Sequence, residues 1–348
     1  MRVLFLTLYP EQAASPRYRV HQFLPALEAR GIECTVASAV SLETWQRHQS
    51  AEAPRARQYH LEEIRRRITQ LLGARKYDLV VVQKGLASVS FRLLPTLLKR
   101  YARRFVIDFD DAVHKAPPAQ LQGFARSLEN RRQLFQLSAL ADCTIAGNKW
   151  LASEVKVYAK RVEVVPTVVD TQRFVPAASP PERFTLGWIG SPSTTPYAQI
   201  AADCFREAED LGVILCGADP KRVHWPEAKL TPWRIDTEVE TLQRFSVGIM
   251  PTPKEQWVRG KCGLKALQYG ACGIPTIATP YGVAHDIIRD GETGLLADTK
   301  NDWRAAVDKL RDDDLRARLG ATARDFVVNE YSLEAWAPRL ADLLESVA

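Results

Sequence analysis

Between Arg259 and Pro275 the chain reads RGKCGLKALQYGACGIP. Gly260 and Gly263 predict a loop that opens a short helix, and Gly273-Ile274-Pro275 ends it. The first N–H groups of a helix, with its positive dipole end, receive an anion. Arg259 and Lys261 stand at that end, Lys265 lies in the first turn, and Gln268 follows three residues on along the same face. Cations oppose the dipole at an N-terminus, so their clustering there points to an anionic ligand. Ordinary solvated lysines are the plain alternative. Upstream, the loop Gly190-Ser191-Pro192-Ser193-Thr194 offers hydroxyls, with Thr195 predicted as an N-cap before Pro196.

Two further clusters lie in the first half. Ser15 before Pro16 predicts an N-cap and a proline in the first helical turn, opening a helix over 16–30. Arg17 and Arg19 near its start could grip a phosphate or carboxylate in bidentate fashion; the alternative is a helix-surface arginine pair. Asp108, Asp110, Asp111 and His114 end a strand expected at 104–108. Three carboxylates there are unfavourable unless used or paired. Asp110 or Asp111 would orient an acceptor hydroxyl or act as a base. A metal held by the aspartates, or helix capping with an ion pair to Arg17 or Arg19, are the alternatives. Trp188, Trp225, Trp233 and Trp257 could stack on a base or sugar or simply pack, and Glu238 and Glu240 read as helix-surface charges.

Elements that could position these groups alternate along the chain. Strand patterns at 2–8, 32–37, 78–82, 104–108, 142–146 and 162–165 interleave with helical spacing at 16–30, 59–73, 89–103, 125–140 and 149–158. The run at 78–82, DLVVV, suits a strand buried on both faces of a parallel sheet. The proline-rich stretch 176–183, PAASPPER, reads as a linker. Alternation then restarts: strands at 184–189, 213–216, 246–250 and 275–278, helices at 196–210, 237–244 and 263–272, and helices to the end. The pattern predicts an α/β protein with two Rossmann-like, doubly wound parallel sheets.

A length of 348 residues, 46% of them hydrophobic, suffices for two such cores. Six cysteines without a C-x-x-C pair argue against a disulfide framework or zinc site and fit a reducing compartment. No apolar run reaches the roughly 18 residues that span a bilayer, and the opening strand lacks a signal-peptide pattern. A cytoplasmic protein is therefore expected. The net charge of +6 is uneven, +11 through residue 175 and −5 beyond it. That split argues against a uniform nucleic-acid coat and points the first half to an anionic partner, such as a phosphorylated acceptor or a phospholipid face; a merely solubilising surface is the plain alternative. The basic, leucine-rich helix at 89–103 would meet the inner face of an anionic membrane as a peripheral protein.

The stretch from Arg259 to Pro275 resembles the donor-binding segment of glycosyltransferase family 4, the group 1 glycosyltransferases, which have the GT-B fold and retain anomeric configuration. Val164-Val165-Pro166 through Phe174, FTLGWIG at 184–190, Asp290-Gly291-Glu292-Thr293-Gly294 and the closing Tyr331–Trp336 resemble other parts of it, so the likeness covers nearly the whole chain. The resemblance implies an acceptor domain over 1–175, a linker over 176–183, a nucleotide-sugar domain over 184–330, and a final helix, 331–348, crossing back to the first domain. It implies a glycosyltransferase, hexosyltransferase-like and retaining, serving glycan or glycoconjugate synthesis. A UDP- or GDP-linked sugar is the donor, and a glycan, lipid-linked or small molecule is the acceptor, with no cofactor and no required metal. Gly190, Ser191, Ser193, Thr194, Arg259, Lys261, Gly263, Leu264, Lys265 and Gln268 would hold the donor, and Arg17, Arg19 and His114 the acceptor. Asp110 and Asp111 fall where the family often has a His-Asp pair near the reacting carbon.

The departures are specific. The family's two glutamates, eight positions apart, read here as Gly260 and Gln268. The Arg and Lys that usually follow the Gly190 position are missing, so Arg259, Lys261 and Lys265 would supply the charge. Two rivals share the plan: a sugar-nucleotide epimerase or phosphorylase, and a catalytically inactive GT-B binding subunit.

Overall fold

The computed structural model describes residues 1–49, 56–89, 91, 93–115, 132–205 and 211–348. The chain divides into two compact units. The first holds Met1–Thr167, Arg259–Cys262 and Trp336–Ala348; the second holds Val168–Val258 and Gly263–Ala335.

In the first unit six strands form one sheet: β1 (Arg2–Thr7), β2 (Glu33–Ser38), β3 (Leu79–Gln83), β4 (Phe105–Phe109), β5 (Cys143–Ala146) and β6 (Val162–Val164). Their order is β2-β1-β3-β4-β5-β6, with parallel pairing throughout. Every residue of β3 and β4 is buried, as required of strands covered on both faces. Strand order reverses between β1 and β3, and in such sheets ligands bind beyond the carboxyl ends near that reversal. The loops after β1, β3, β4 and β5 carry Ser15–Arg19, Lys84, Asp110–His114 and Asn148.

The helix expected at 16–30 is broken. Ala14–Arg19 and Leu24–Ala29 are separate helices joined by a 3-10 turn at His21–Phe23. Pro25 lies in the first turn of the second helix, where its missing N–H is harmless; inside one long helix it would remove a bond and clash. Ser15 is not an N-cap: Ala13 holds that position without a side-chain bond. The helix at 89–103 is described over Leu93–Tyr101 and that at 125–140 over Gln133–Leu140, and 125–131 lie outside the described residues. In the C-terminal helix Leu333–Val347, the residues from Trp336 on cluster with the first unit. Arg30 donates to Asp342 at 2.7 Å and Glu345 at 3.0 Å there.

The second unit carries β7 (Thr185–Ile189), β8 (Gly212–Cys216), β9 (Lys229–Thr231), β10 (Val247–Met250), β11 (Thr276–Ala278) and β12 (Gly294–Leu296). These also pair in parallel, in the order β12-β11-β10-β7-β8-β9, which reverses between β7 and β10. Strands β9 and β12 have three residues each, too few for a readable alternation. Trp188 and Trp225 belong to the core with Leu186, Leu215, Ile249 and Trp303, so packing accounts for both. The helix expected at 196–210 is described over Thr195–Phe205, and 206–210 lie outside the described residues. Among the described residues no helix is long and apolar enough to cross a membrane.

Candidate functional site

In the first unit the aspartates at the end of β4 have three different environments. Asp108 is buried and takes the Nε and Nη2 of Arg19 in a bidentate pair. Arg19 Nη1 donates to the carbonyls of Val165 at 2.8 Å and Pro166 at 2.9 Å. Burial alone would pull this guanidinium down, and the Asp108 carboxylate instead holds it above its ordinary value. These inward bonds correct the expectation that Arg19 grips an acceptor: it joins β4 to the chain after β6. The ion pair foreseen as an alternative for the aspartates is the one that forms, between Asp108 and Arg19. Arg17 is buried as well, its guanidinium 5.0 Å from the Tyr18 ring centroid. Neither arginine is a helix-surface residue.

Asp110 accepts from Ser15 Oγ at 2.9 and 3.0 Å, and Gln83 Nε2 donates to that same hydroxyl at 2.7 Å. Ser15 therefore orients a carboxylate instead of capping a helix. Asp111 faces Lys84, whose Nζ stands 3.6 Å from Oδ2. Burial pushes the Asp111 carboxyl up, but Lys261, Lys84 and the Ala112 N–H bring it below the ordinary carboxylate range. Lys84 itself was not singled out from the sequence. Among the described residues it is the one non-glycine with a left-handed backbone, φ 70°, and its N–H donates to the Asp108 carbonyl at 2.6 Å. A lysine held in that strained region next to Gly85 is over-determined by its surroundings. The one sequence signal was the Lys84-Gly85 step directly after a buried strand.

His114 Nε2 lies 3.0 Å from Glu154 Oε2, and its ring stacks at 6.0 Å and 16° on Trp150. Burial outweighs Glu154 and lowers its pKa, so the imidazole is neutral at pH 7.

Asn148 then ties in the segment Arg259–Cys262. Its Oδ1 caps the helix Lys149–Val155 through the Leu151 N–H, and its Nδ2 donates to the carbonyls of Arg259 and Lys261, each at 3.1 Å. Arg259 sits over the Trp150 ring at 5.5 Å, and Cys262 Sγ donates to the Asp110 carbonyl at 3.3 Å. A Cβ on Gly260 would come within 2.5 Å of Ala112 Cβ and 2.6 Å of its nitrogen. No side chain fits there on the present backbone. Arg259 and Lys261 belong to the first unit, Lys265 and Gln268 to the second.

In the second unit, Ser191 and Thr194 cap each other reciprocally around the 3-10 turn Pro192–Thr194, and Ser193 Oγ lies 2.9 Å from Ser191 Oγ. Thr195 is not the N-cap: it is buried inside the helix, and its Oγ1 accepts from the Asp219 N–H at 2.9 Å. Gly190 passes so close to the Trp188 indole that a Cβ would lie 2.3 Å from it. Gly263, at φ 67°, starts the helix Leu264–Ala271, and Lys265 Nζ stands 5.4 Å from the Trp188 ring centroid. Gln268 is buried, and its Nε2 donates to Glu238 Oε1 at 3.0 Å. Glu238 is no surface charge. It is 1% exposed and also accepts from Trp233 Nε1 at 3.0 Å and Arg173 Nη2 at 2.8 Å. Glu240 is exposed, as expected. Among the described residues no three His, Cys, Asp or Glu side chains converge to hold a metal ion.

Residues 198–313 match the family described as "Glycosyl transferases group 1". The D-inositol 3-phosphate glycosyltransferase of Corynebacterium jeikeium is 26% identical over 221 residues, 53% of this chain and 52% of that protein. The chain spans about half the length, or less, of the first curated relatives it matches. Among solved structures, a sucrose-phosphate synthase from Thermosynechococcus elongatus superposes with a TM-score of 0.75 at 16% identity, covering 99% of this chain and 98% of that one. Anabaena Alr3699/HepE in complex with UDP-glucose gives 0.72 at 14% identity, covering 99% and 100%. At these identities the two structures establish the fold. The chain thus has the GT-B fold, and the likeness to the group 1 glycosyltransferases is carried by residues 198–313 and by the curated relatives.

Proposed function

We propose that the protein transfers a sugar, with retention, from a nucleotide-diphosphate donor bound by the second unit to an acceptor bound by the first. The observation that carries the donor half is the loop group at the carboxyl ends of β7 and β8. There Gly190 and Gly217 pack backbone to backbone, beside the helix that presents Lys265 in its first turn. Backbone without side chains, helix N–H groups and a nearby ammonium suit a diphosphate. Anabaena Alr3699/HepE is found in complex with UDP-glucose, which supports a UDP-linked sugar; a GDP-linked one fits the same chemistry. The group 1 match and the curated relatives support transfer over epimerisation. The lysines supply charge to the leaving diphosphate, so turnover is expected to persist in EDTA.

For the acceptor half, the reading assigns Asp110 and Asp111 to the hydroxyl that attacks. The relative named for inositol 3-phosphate and the basic first half together favour an acceptor bearing phosphate; glycan and lipid-linked acceptors remain arms of the test. A thermal-shift screen of UDP, GDP and their sugars decides the donor, since a ligand at 100 times its Kd stabilises by about 2.7 kcal/mol. Absence of any shift across the screen would remove the proposal. Conversion of the sugar nucleotide with no acceptor present would replace it with an epimerase.

Lys265→Ala is expected to weaken nucleoside-diphosphate binding about tenfold to a hundredfold while sparing the free nucleoside, as hydrogen bonds to charged groups contribute about 1.5–3 kcal/mol. Calorimetry with both ligands reads this directly, and equal losses for both would mean that the lysine acts on folding.

The proposal extends to a peripheral location on an anionic membrane. In the helix Leu93–Tyr101, Leu94 and Leu98 are buried while Leu93, Lys99 and Arg100 are exposed. Each basic residue near such a surface adds roughly 1 kcal/mol. Flotation with phosphatidylserine vesicles at low salt should capture the protein, and vesicles of phosphatidylcholine alone should not. Equal capture by both would refute it.

A further inference from the structure

Two glycines meet at the last rung between β7 and β10. The pairing joins Leu186 to Val247 and Gly187 to Gly248, and it stops there. On their outer sides the same strands run on: β7 stays paired with β8 through Ile189 and Cys216, and β10 with β11 through Met250 and Ala278. The gap therefore opens between β7 and β10 alone, where the strand order reverses. Ligand crevices of doubly wound sheets lie at such a reversal.

A side chain fills the missing rung. The Ile189 N–H donates to the Tyr269 hydroxyl at 3.0 Å, and that hydroxyl donates to the Ile249 carbonyl at 3.4 Å. All three residues are buried. Unpaired, each of the two backbone groups would be an unfavourable buried orphan; a phenol, which both donates and accepts, serves them together. Burial holds its pKa well above the ordinary value, so the hydroxyl keeps its proton. Gly248 makes room for the ring: a Cβ there would lie 2.2 Å from Tyr269 Cδ2, just as one on Gly187 would lie 1.9 Å from Phe245 Cγ. Glycines inside strands mark such close approaches.

The bridge reaches the loop group assigned to the donor. Gly190 follows Ile189 directly, and its own N–H donates the other way, to the Cys216 carbonyl at 3.0 Å. Tyr269 lies four residues beyond Lys265 in the helix Leu264–Ala271, one turn along the same face. One side chain thus ties the end of β7 to the helix that carries Lys265 in its first turn.

We propose that the Tyr269 hydroxyl is a spacer that keeps the crevice between β7 and β10 open, and that Tyr269 is thereby a positioning residue for the donor diphosphate, setting the Gly190 loop against the first turn of that helix. The proposal rests on the reading of the second unit as the donor site. Without the hydroxyl, β7 and β10 either close to pair directly or leave both backbone groups unpaired, and Gly190 moves relative to Lys265 in both cases.

Calorimetry on the full chain with uridine and UDP, and with guanosine and GDP, reads the diphosphate contribution as the ratio of nucleoside Kd to diphosphate Kd. Tyr269→Phe should lower that ratio about tenfold and keep the nucleoside Kd within about twofold, because a shift of about 1 Å in a positioning group is felt at the ligand. Phe245→Leu is the control. Its ring packs edge to face on Tyr269 at 6.1 Å, so the variant loosens the same core and leaves the hydroxyl. It should lower the unfolding midpoint and leave the ratio within about twofold. A ratio that Tyr269→Phe leaves unchanged, or that Phe245→Leu lowers equally, overturns the proposal. Should Tyr269→Phe fail to fold, amide exchange on the unmodified chain decides: the Ile189 N–H should be protected to within about tenfold of the Gly190 N–H, and faster exchange than that overturns the bridge. If the unmodified protein binds neither UDP nor GDP, the donor reading beneath the proposal fails.

Discussion

Arg19→Ala should lower the unfolding free energy by about 3–5 kcal/mol, the usual effect of removing one partner from a buried ion pair. The variant leaves Asp108 in a site that is 4% exposed, facing the space that a guanidinium filled. It also leaves the carbonyls of Val165 and Pro166 without the Nη1 donor that reaches both. The effect should far exceed that of removing an exposed pair such as Arg103 with Asp78, which water and salt screen. Urea unfolding of Arg19→Ala, Asp108→Asn and the double variant Arg19→Met with Asp108→Leu separates the contributions. The double variant should recover part of the stability, because it removes both charges and refills the volume. A loss below about 0.5 kcal/mol in Arg19→Ala would show that water or a rearranged donor satisfies Asp108.

This pair also marks what a linear reading could and could not reach. Uninterrupted apolar runs such as Leu79–Val82 carry the parallel sheets plainly, because a strand buried on both faces needs no polar residue along it. Arg259–Pro275 lies within residues 198–313, the segment that matches the group 1 glycosyltransferases. Side-chain fate is harder. Arg19 and Glu238 both sit in stretches whose local charge looks solvent-facing, and each is buried by partners 89 and 30 residues away in sequence. Nothing within a helical turn of either residue announces that distance. Lys84 was hidden for another reason: its left-handed backbone is a property of the turn after β3, and lysine carries no turn preference that would reveal it. Gly260 was visible only as a missing glutamate. A Cβ at that position would clash with Ala112, and Arg259–Cys262 group with the first unit although they adjoin Lys265 in sequence.

Asp111→Asn should reduce transfer about 10²–10⁴-fold, the range associated with a positioned acid or base. Donor affinity should stay within about twofold, since the donor is assigned to the other unit. Asp110→Asn should act in the same direction, because the Ser15 hydroxyl and Gln83 amide already hold that carboxylate in place. The pH dependence adds a sharper test. Burial raises the Asp111 carboxyl, and Lys261, Lys84 and the Ala112 N–H more than offset it, leaving it below its ordinary value. The carboxylate therefore stays ionised at pH values where an unperturbed aspartic acid, with a pKa of about 3.9, is largely protonated. The acid limb of kcat/KM should accordingly lie below that value. Lys84→Met removes one of the two ammonium groups and should move the limb toward higher pH, with Lys84→Arg restoring it. Stability follows the same sign: a folded-state value below the unfolded one contributes stability that is present above the unfolded pKa and is lost as pH falls through the folded one. Acid unfolding of Lys84→Met should begin at higher pH than that of the unmodified chain. An Asp111→Asn enzyme that transfers at the full rate would remove Asp111 from the chemistry. An acid limb that Lys84→Met leaves in place would show that another group controls it.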